Sequence, residues 1–188
     1  SRPLVFAHRG GGKIGPENTI AAFDRGLAMG ADGLELDVRL SRDGVVVVHH
    51  DEMLDRTTRA TGPIGQRTAS ELAAADVPTL RDVLAGHPGT PIIIELKEAS
   101  AALAGAVVDD VRRAGAVDSV CVGSFSVAAL RDVRAALLVT LSLPLSLAMA
   151  APLLERFGVG LNTMTLGGLA IAVGLLVDHA LNVGLGVG

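Results

Sequence analysis

Charge divides this chain before any secondary structure is read from it. Of its 16 Lys and Arg and 20 Asp and Glu, only Glu155, Arg156 and Asp178 lie beyond position 134. A water-soluble domain carries charged residues over its surface. Residues 1–134 meet that condition and residues 135–188 do not, so two segments are expected, 1–134 and 135–188. The overall 49% hydrophobic content describes neither.

In the first segment short apolar runs alternate with amphipathic stretches, the pattern of βα units. Strands are expected over Leu4 to Ala7, Gly33 to Leu40, Val45 to Val48, Ile92 to Ile94 and Val120 to Gly123. Glu17-Asn18-Thr19 starts a helix that Gly30 ends. Further helices are expected over Ser70 to Ala75, from Pro78-Thr79 to Ala85, over Ala101 to Ala114 and over Val127 to Arg134. Strands joined this way suit parallel pairing with right-handed crossovers. A complete parallel barrel needs eight strands and about 250 residues, and this segment supplies about five.

The polar residues gather at the strand ends. His8-Arg9-Gly10 follows the first strand, at the carboxyl-end rim where parallel α/β folds place ligands. His transfers protons near neutral pH, Arg grips phosphate, and the same pair also suits an ordinary polar contact. Glu35 and Asp37, two apart on a strand, share a face. Buried together they repel unless a cation or basic side chains neutralise them, and oxygen ligands suit Mg²⁺ or Ca²⁺; on an exposed face they would form salt bridges. Glu95 can complete a three-carboxylate set, and Lys97 can hold a phosphate oxygen or simply pair with Glu95. In His49-His50-Asp51 alternation lets one histidine face the site, and the strand-end position favours His50, leaving His49 structural. Metal ligands, cations and two imidazoles are the parts that phosphodiester hydrolysis uses.

The net charge of −4 and the scattered Lys and Arg argue against a nucleic-acid partner. A lone Cys121 excludes a disulfide scaffold. Ser1 to Ala7 leads directly into strand-like sequence, so no signal peptide is expected there.

The order of motifs is informative beyond its parts. His8-Arg9-Gly10, Pro16-Glu17-Asn18-Thr19, Gly30 to Val38, Asp43-Gly44, Val48-His49-His50-Asp51, Leu54-Asp55-Arg56-Thr57-Thr58, Glu95-Leu96-Lys97 and Ser124-Phe125-Ser126 closely resemble the glycerophosphodiester phosphodiesterase family over about the first 134 residues. The resemblance implies an α/β fold of the TIM-type (β/α) barrel; from the strand count and the apolar runs it is expected to be truncated here after about five strands and followed by two apolar helices. It also implies metal-dependent hydrolysis of glycerophosphodiesters to glycerol 3-phosphate and an alcohol. Residue by residue, it implies His8 and His50 as the acid/base pair, Glu35, Asp37 and Glu95 as ligands of Mg²⁺ or Ca²⁺, and Arg9 and Lys97 as phosphate contacts. Asn18 corresponds to a position that supports the site. The catalytic part is expected to be cytoplasmic.

After Arg134 this resemblance stops. Ala135 to Leu154 and Phe157 to Val177 are uncharged runs, each long enough for a bilayer, which takes about 20 apolar residues; core helices of a soluble domain are the other reading. Leu141 to Leu147 and Asn162 to Asp178 resemble an inner-membrane stretch of resistance-nodulation-division efflux transporters. Three readings follow: a working glycerophosphodiesterase, membrane-associated through 135–188 or not; an inactive truncated or chimeric relative; and a transporter fragment with a soluble appendage.

Overall fold

The strand Gly33–Leu40, here β2, organises the sheet because both its edges are used. The computed structural model describes residues 2–11, 15–126, 129 and 131–136. Within them run β1 (Phe6–His8), α1 (Ile20–Ala28), β2, β3 (Val46–Val48), α2 (Ala69–Ala73), α3 (Leu80–Gly86), β4 (Ile92–Leu96), α4 (Ala101–Arg113) and β5 (Val120–Gly123). A 3₁₀ turn lies at Ile64–Gln66, and residues 131–136 are helical.

β1, β2, β4 and β5 pair in that order, all parallel. β3 departs from the expectation of parallel strands: it pairs antiparallel with β2, Val38 opposite Val48 and Leu40 opposite Val46. The cause is a tight turn. Gly44 has φ +76° and its N–H donates to the Ser41 carbonyl at 3.0 Å, while the Ser41 hydroxyl accepts from Val45 N–H at 2.9 Å. Only a hairpin joins strands so closely. Val38 already pairs with Leu96 on its other edge, so β3 lies on the β1 side of β2. Running backwards, it returns the chain towards the end of β1.

β1 also differs from its expected span. Leu4 and Val5 are exposed, at 65% and 54%, and the strand includes His8. The Asp32 carboxylate accepts the Val5 N–H at 2.9 Å and pairs with Arg2, holding that approach outside the ladder.

One sheet face is apolar and closed. Leu34, Leu36, Val38, Ile92, Ile94 and Leu96 are buried there, as are Phe23 of α1, Leu80 and Val83 of α3, and Leu103 and Val107 of α4. Burial of such side chains contributes about 1.5–3 kcal/mol each. The helices start at caps legible in sequence: Thr19, Thr68, Thr79 and Ser100 each accept a backbone N–H from the first turn, Thr68 and Thr79 in capping boxes with Glu71 and Asp82. A smaller cluster of Val47, Leu54, Ile64, Leu72 and Val77 supports the long connection between β3 and α3.

The chain divides into compact units at Ser1–Val133 and Arg134–Gly188. No helix among the described residues is long and apolar enough to cross a membrane. Apart from residues 135 and 136, which are helical, the two apolar segments and the transporter-like stretch expected within 135–188 lie outside the described residues.

Candidate active site

The opposite face of the sheet carries the polar residues, and strand register brings them level. His8 stands opposite Glu35 across β1 and β2, and Asp37 opposite Glu95 across β2 and β4. Carboxylate oxygens of Glu35, Asp37 and Glu95 lie within 4.8 Å of one another.

Asp37 is fully buried, where an uncompensated charge is prohibitively costly. Its Oδ2 accepts from Asn18 Nδ2 at 2.9 Å and lies 3.0 Å from Arg9 Nε. Its Oδ1 accepts no hydrogen bond; Lys97 Nζ stands 3.4 Å away and donates to Glu95 Oε1 at 3.0 Å. Burial pushes the Glu35 carboxyl above its ordinary value, with the Asp37 charge adding to the rise; His8 and the Arg9 N–H oppose it. Three converging carboxylates, one raised and one with a buried oxygen lacking a donor, are a donor set that suits a hard divalent cation.

Backbone geometry aims these groups. Arg9 and Asn18 both have positive φ, +53° and +57°, a conformation costly for residues other than glycine. Arg9 N–H donates to the Glu35 carbonyl at 2.8 Å, and Asn18 N–H to the Arg9 carbonyl at 3.0 Å. With these two left-handed residues bonded to each other, the Arg9 and Asn18 side chains both reach Asp37. Both cations expected to contact phosphate are thus held among carboxylates, Arg9 by Asp37 and Glu17, Lys97 by Asp37 and Glu95.

The two histidines after β3 have different settings. His49 is buried; its Nδ1 is 3.0 Å from the Asp51 carbonyl and its Nε2 2.9 Å from Thr57 Oγ1. A carbonyl only accepts, so Nδ1 carries the proton and Nε2 accepts from the hydroxyl. Burial pushes its pKa down, in keeping with a neutral, closed pair of bonds. His50 is partly open, with Nδ1 2.6 Å from Asp51 Oδ1, and its carbonyl accepts from Arg39 Nε at 2.9 Å. His8 is largely exposed, its Nε2 3.7 Å from Glu35 Oε2.

Glu17, Asp51 and Arg56 were not singled out as site residues by the sequence, although each lies within a quoted motif. Arg56 Nε donates to Asp51 Oδ2 at 2.5 Å and Nη2 to Glu17 Oε1 at 2.6 Å, while Arg9 Nη1 donates to the same Glu17 oxygen at 3.1 Å. His50 therefore joins the carboxylate cluster indirectly, through Asp51, Arg56, Glu17 and Arg9. Beside the cluster, Glu95, Lys97, Glu98, Ser124 and Phe125 border a cavity of about 340 Å³. Ser124 Oγ donates to the Leu96 carbonyl at 3.0 Å, and the Phe125 side chain is exposed.

Residues 8–150 match the model of the glycerophosphoryl diester phosphodiesterase family. The chain belongs to that family. The match continues past Arg134, where the sequence resemblance was expected to stop. Among relatives of this family member, the glycerophosphodiester phosphodiesterase of Caldanaerobacter subterraneus subsp. tengcongensis is 38% identical over 151 residues, 71% of this chain and 62% of its own. A crystal structure of glycerophosphodiester phosphodiesterase from Agrobacterium tumefaciens is similar with a TM-score of 0.65 at 37% identity, covering 71% of this chain and 62% of that one. An Oleispira antarctica phosphodiesterase, solved with the product sn-glycerol-3-phosphate, has a TM-score of 0.65 at 30% identity, with the same coverage. This family member thus spans about three-fifths of the length of such relatives, and its fold is TIM-barrel-like.

Proposed function

We propose that the chain hydrolyses glycerophosphodiesters to glycerol 3-phosphate and an alcohol. The observation that carries this reading is the convergence of Glu35, Asp37 and Glu95 within 4.8 Å, flanked by Arg9 and Lys97. Glu35, Asp37 and Glu95 would hold a divalent cation, Mg²⁺ or Ca²⁺, which when bound supplies positive charge for a phosphate oxygen. Arg9 and Lys97 lie on the same side as these carboxylates and would bind the remaining phosphate oxygens, neutralising charge that grows in the transition state. His8 and His50 would form the proton-transfer pair, one taking the proton of the attacking water or glycerol 2-hydroxyl, the other giving a proton to the leaving alcohol. Asp51, held well below the usual carboxylate range by its Arg56 bond and also lowered by His50, accepts the His50 Nδ1 proton and leaves Nε2 for that exchange. The substrate is a small molecule; no nucleic acid is implied.

A second reading, an inactive relative that retains ligand binding, rests on Arg9 and Lys97 both being held by carboxylates. Purified chain incubated with glycerophosphocholine separates the two. Release of glycerol 3-phosphate that falls at least about 100-fold in His8→Ala, the order expected for losing a general acid or base, supports the enzyme. A folded chain with no release, or release undiminished in His8→Ala, overturns it.

A further inference from the structure

The long connection after β3 carries His50 and then Arg56, and neither packing nor the metal-ligand set accounts for what Arg56 does. Its side chain is half-exposed, at 49%, and ion pairs at that exposure contribute little to stability. Yet among the described residues it is the one side chain seen to bond both Asp51 and Glu17, which are far apart in sequence. Asp51 in turn meets His50 Nδ1 at 2.6 Å, and Glu17 meets Arg9 Nη1 at 3.1 Å.

We propose that Arg56 is a positioning residue: its guanidinium ties the Asp51–His50 pair to the Glu17–Arg9 pair and so fixes the proton-bearing nitrogen and orientation of His50 relative to the phosphate-binding side of the site. This inference rests on the reading of His50 as a proton-transferring group. Three features support it. Arg56 uses two different nitrogens for the two carboxylates, so the rigid plane of the guanidinium fixes both at once, whereas an ammonium meets two acceptors from one freely rotating nitrogen. Both carboxylates are held in their charged form chiefly by this residue, so Asp51 acts as acceptor only and His50 Nδ1 must donate. Finally, Asp51 has no other cation in contact among the described residues besides Arg56 and, when protonated, His50; without Arg56 its carboxylate is free to turn from the imidazole. A histidine held by a carboxylate is locked in one tautomer, and losing that lock impairs catalysis while leaving substrate contacts in place.

The test compares wild type with Arg56→Gln, Arg56→Lys and Asp51→Asn, measuring kcat and KM on glycerophosphocholine and reading the His50 tautomer from imidazole ¹⁵N shifts at pH 8. Expected is a His50 with Nδ1 protonated in wild type and a mixture of tautomers in Arg56→Gln. With it kcat falls about 10- to 100-fold, as for other residues that orient a catalytic group, at a KM within twofold. Arg56→Lys, which keeps the charge at a half-exposed position, is expected to restore less than a tenth of the loss. Combining Arg56→Gln with Asp51→Asn should cost no more than Asp51→Asn alone, because both act through one link. A His50 tautomer unchanged in Arg56→Gln and Arg56→Lys overturns the proposal, as does a full rescue by lysine. The tautomer is read without turnover, so a folded chain that hydrolyses nothing removes the proposed function and still decides the role of Arg56.

Discussion

Asp37 illustrates how a single buried carboxylate organises its neighbours. Arg9, Asn18 and Lys97 all aim at it, and two of them adopt costly backbone conformations to do so. Asn18→Ala removes a hydrogen bond to a buried charge and places alanine at positive φ, so a loss of roughly 2–4 kcal/mol is expected, read from the denaturant midpoint. His49 gives a pH signature. Its folded-state pKa lies below the ordinary 6.5, so the unfolded chain binds the proton more readily. That contribution to stability is complete above pH 6.5 and is lost as the pH falls through the lowered value. Denaturation midpoints should therefore drop between pH 7.5 and 5, and drop less in His49→Asn. At this scale much was legible: strand alternation alone put Glu35 beside Asp37, and the strand-end position separated His50 from His49. Glu17 and Arg56 were not, because their bond spans 39 positions and no local period announces it.

Among the elements, the β2–β3 hairpin does most to assemble the site. Asp43-Gly44 between apolar runs is a strong hairpin signal, but the regular βα rhythm around it suggested parallel strands throughout. The reversal matters functionally: His49 N–H donates to the Asp37 carbonyl at 2.9 Å, so β3 delivers its histidines back to the level of the carboxylates. The contact of α1 with the start of the site is equally exacting. A Cβ on Gly10, whose φ is +75°, would lie 2.6 Å from the Ala22 backbone carbon. Gly10→Ala combines a left-handed alanine with overpacking and should cost roughly 2–5 kcal/mol. Since α1 begins just after Asn18, displacing it should also lower metal affinity; a Gly10→Ala chain with wild-type melting and metal binding would contradict this account of the packing.

At the scale of the molecule, the described residues give four parallel strands and one reversed strand, while the family match runs from residue 8 to residue 150. The sequence carried the family because its motifs lie at strand ends, where chemistry and register constrain residues together. It placed the end of that resemblance too early, since beyond Arg134 the polar strand-end motifs run out and only apolar pattern remains. Glu35, Asp37 and Glu95 are proposed to bind a divalent cation on which hydrolysis depends. Calorimetric titration of Mg²⁺ and Ca²⁺ into the chelator-treated chain and Asp37→Asn, with glycerol 3-phosphate release followed in the same samples, tests it most directly. Binding of a single ion, activity that returns with it, and loss of both in the variant are expected. A folded chain that binds no divalent ion, or one that hydrolyses its substrate fully in chelator, would contradict the proposal.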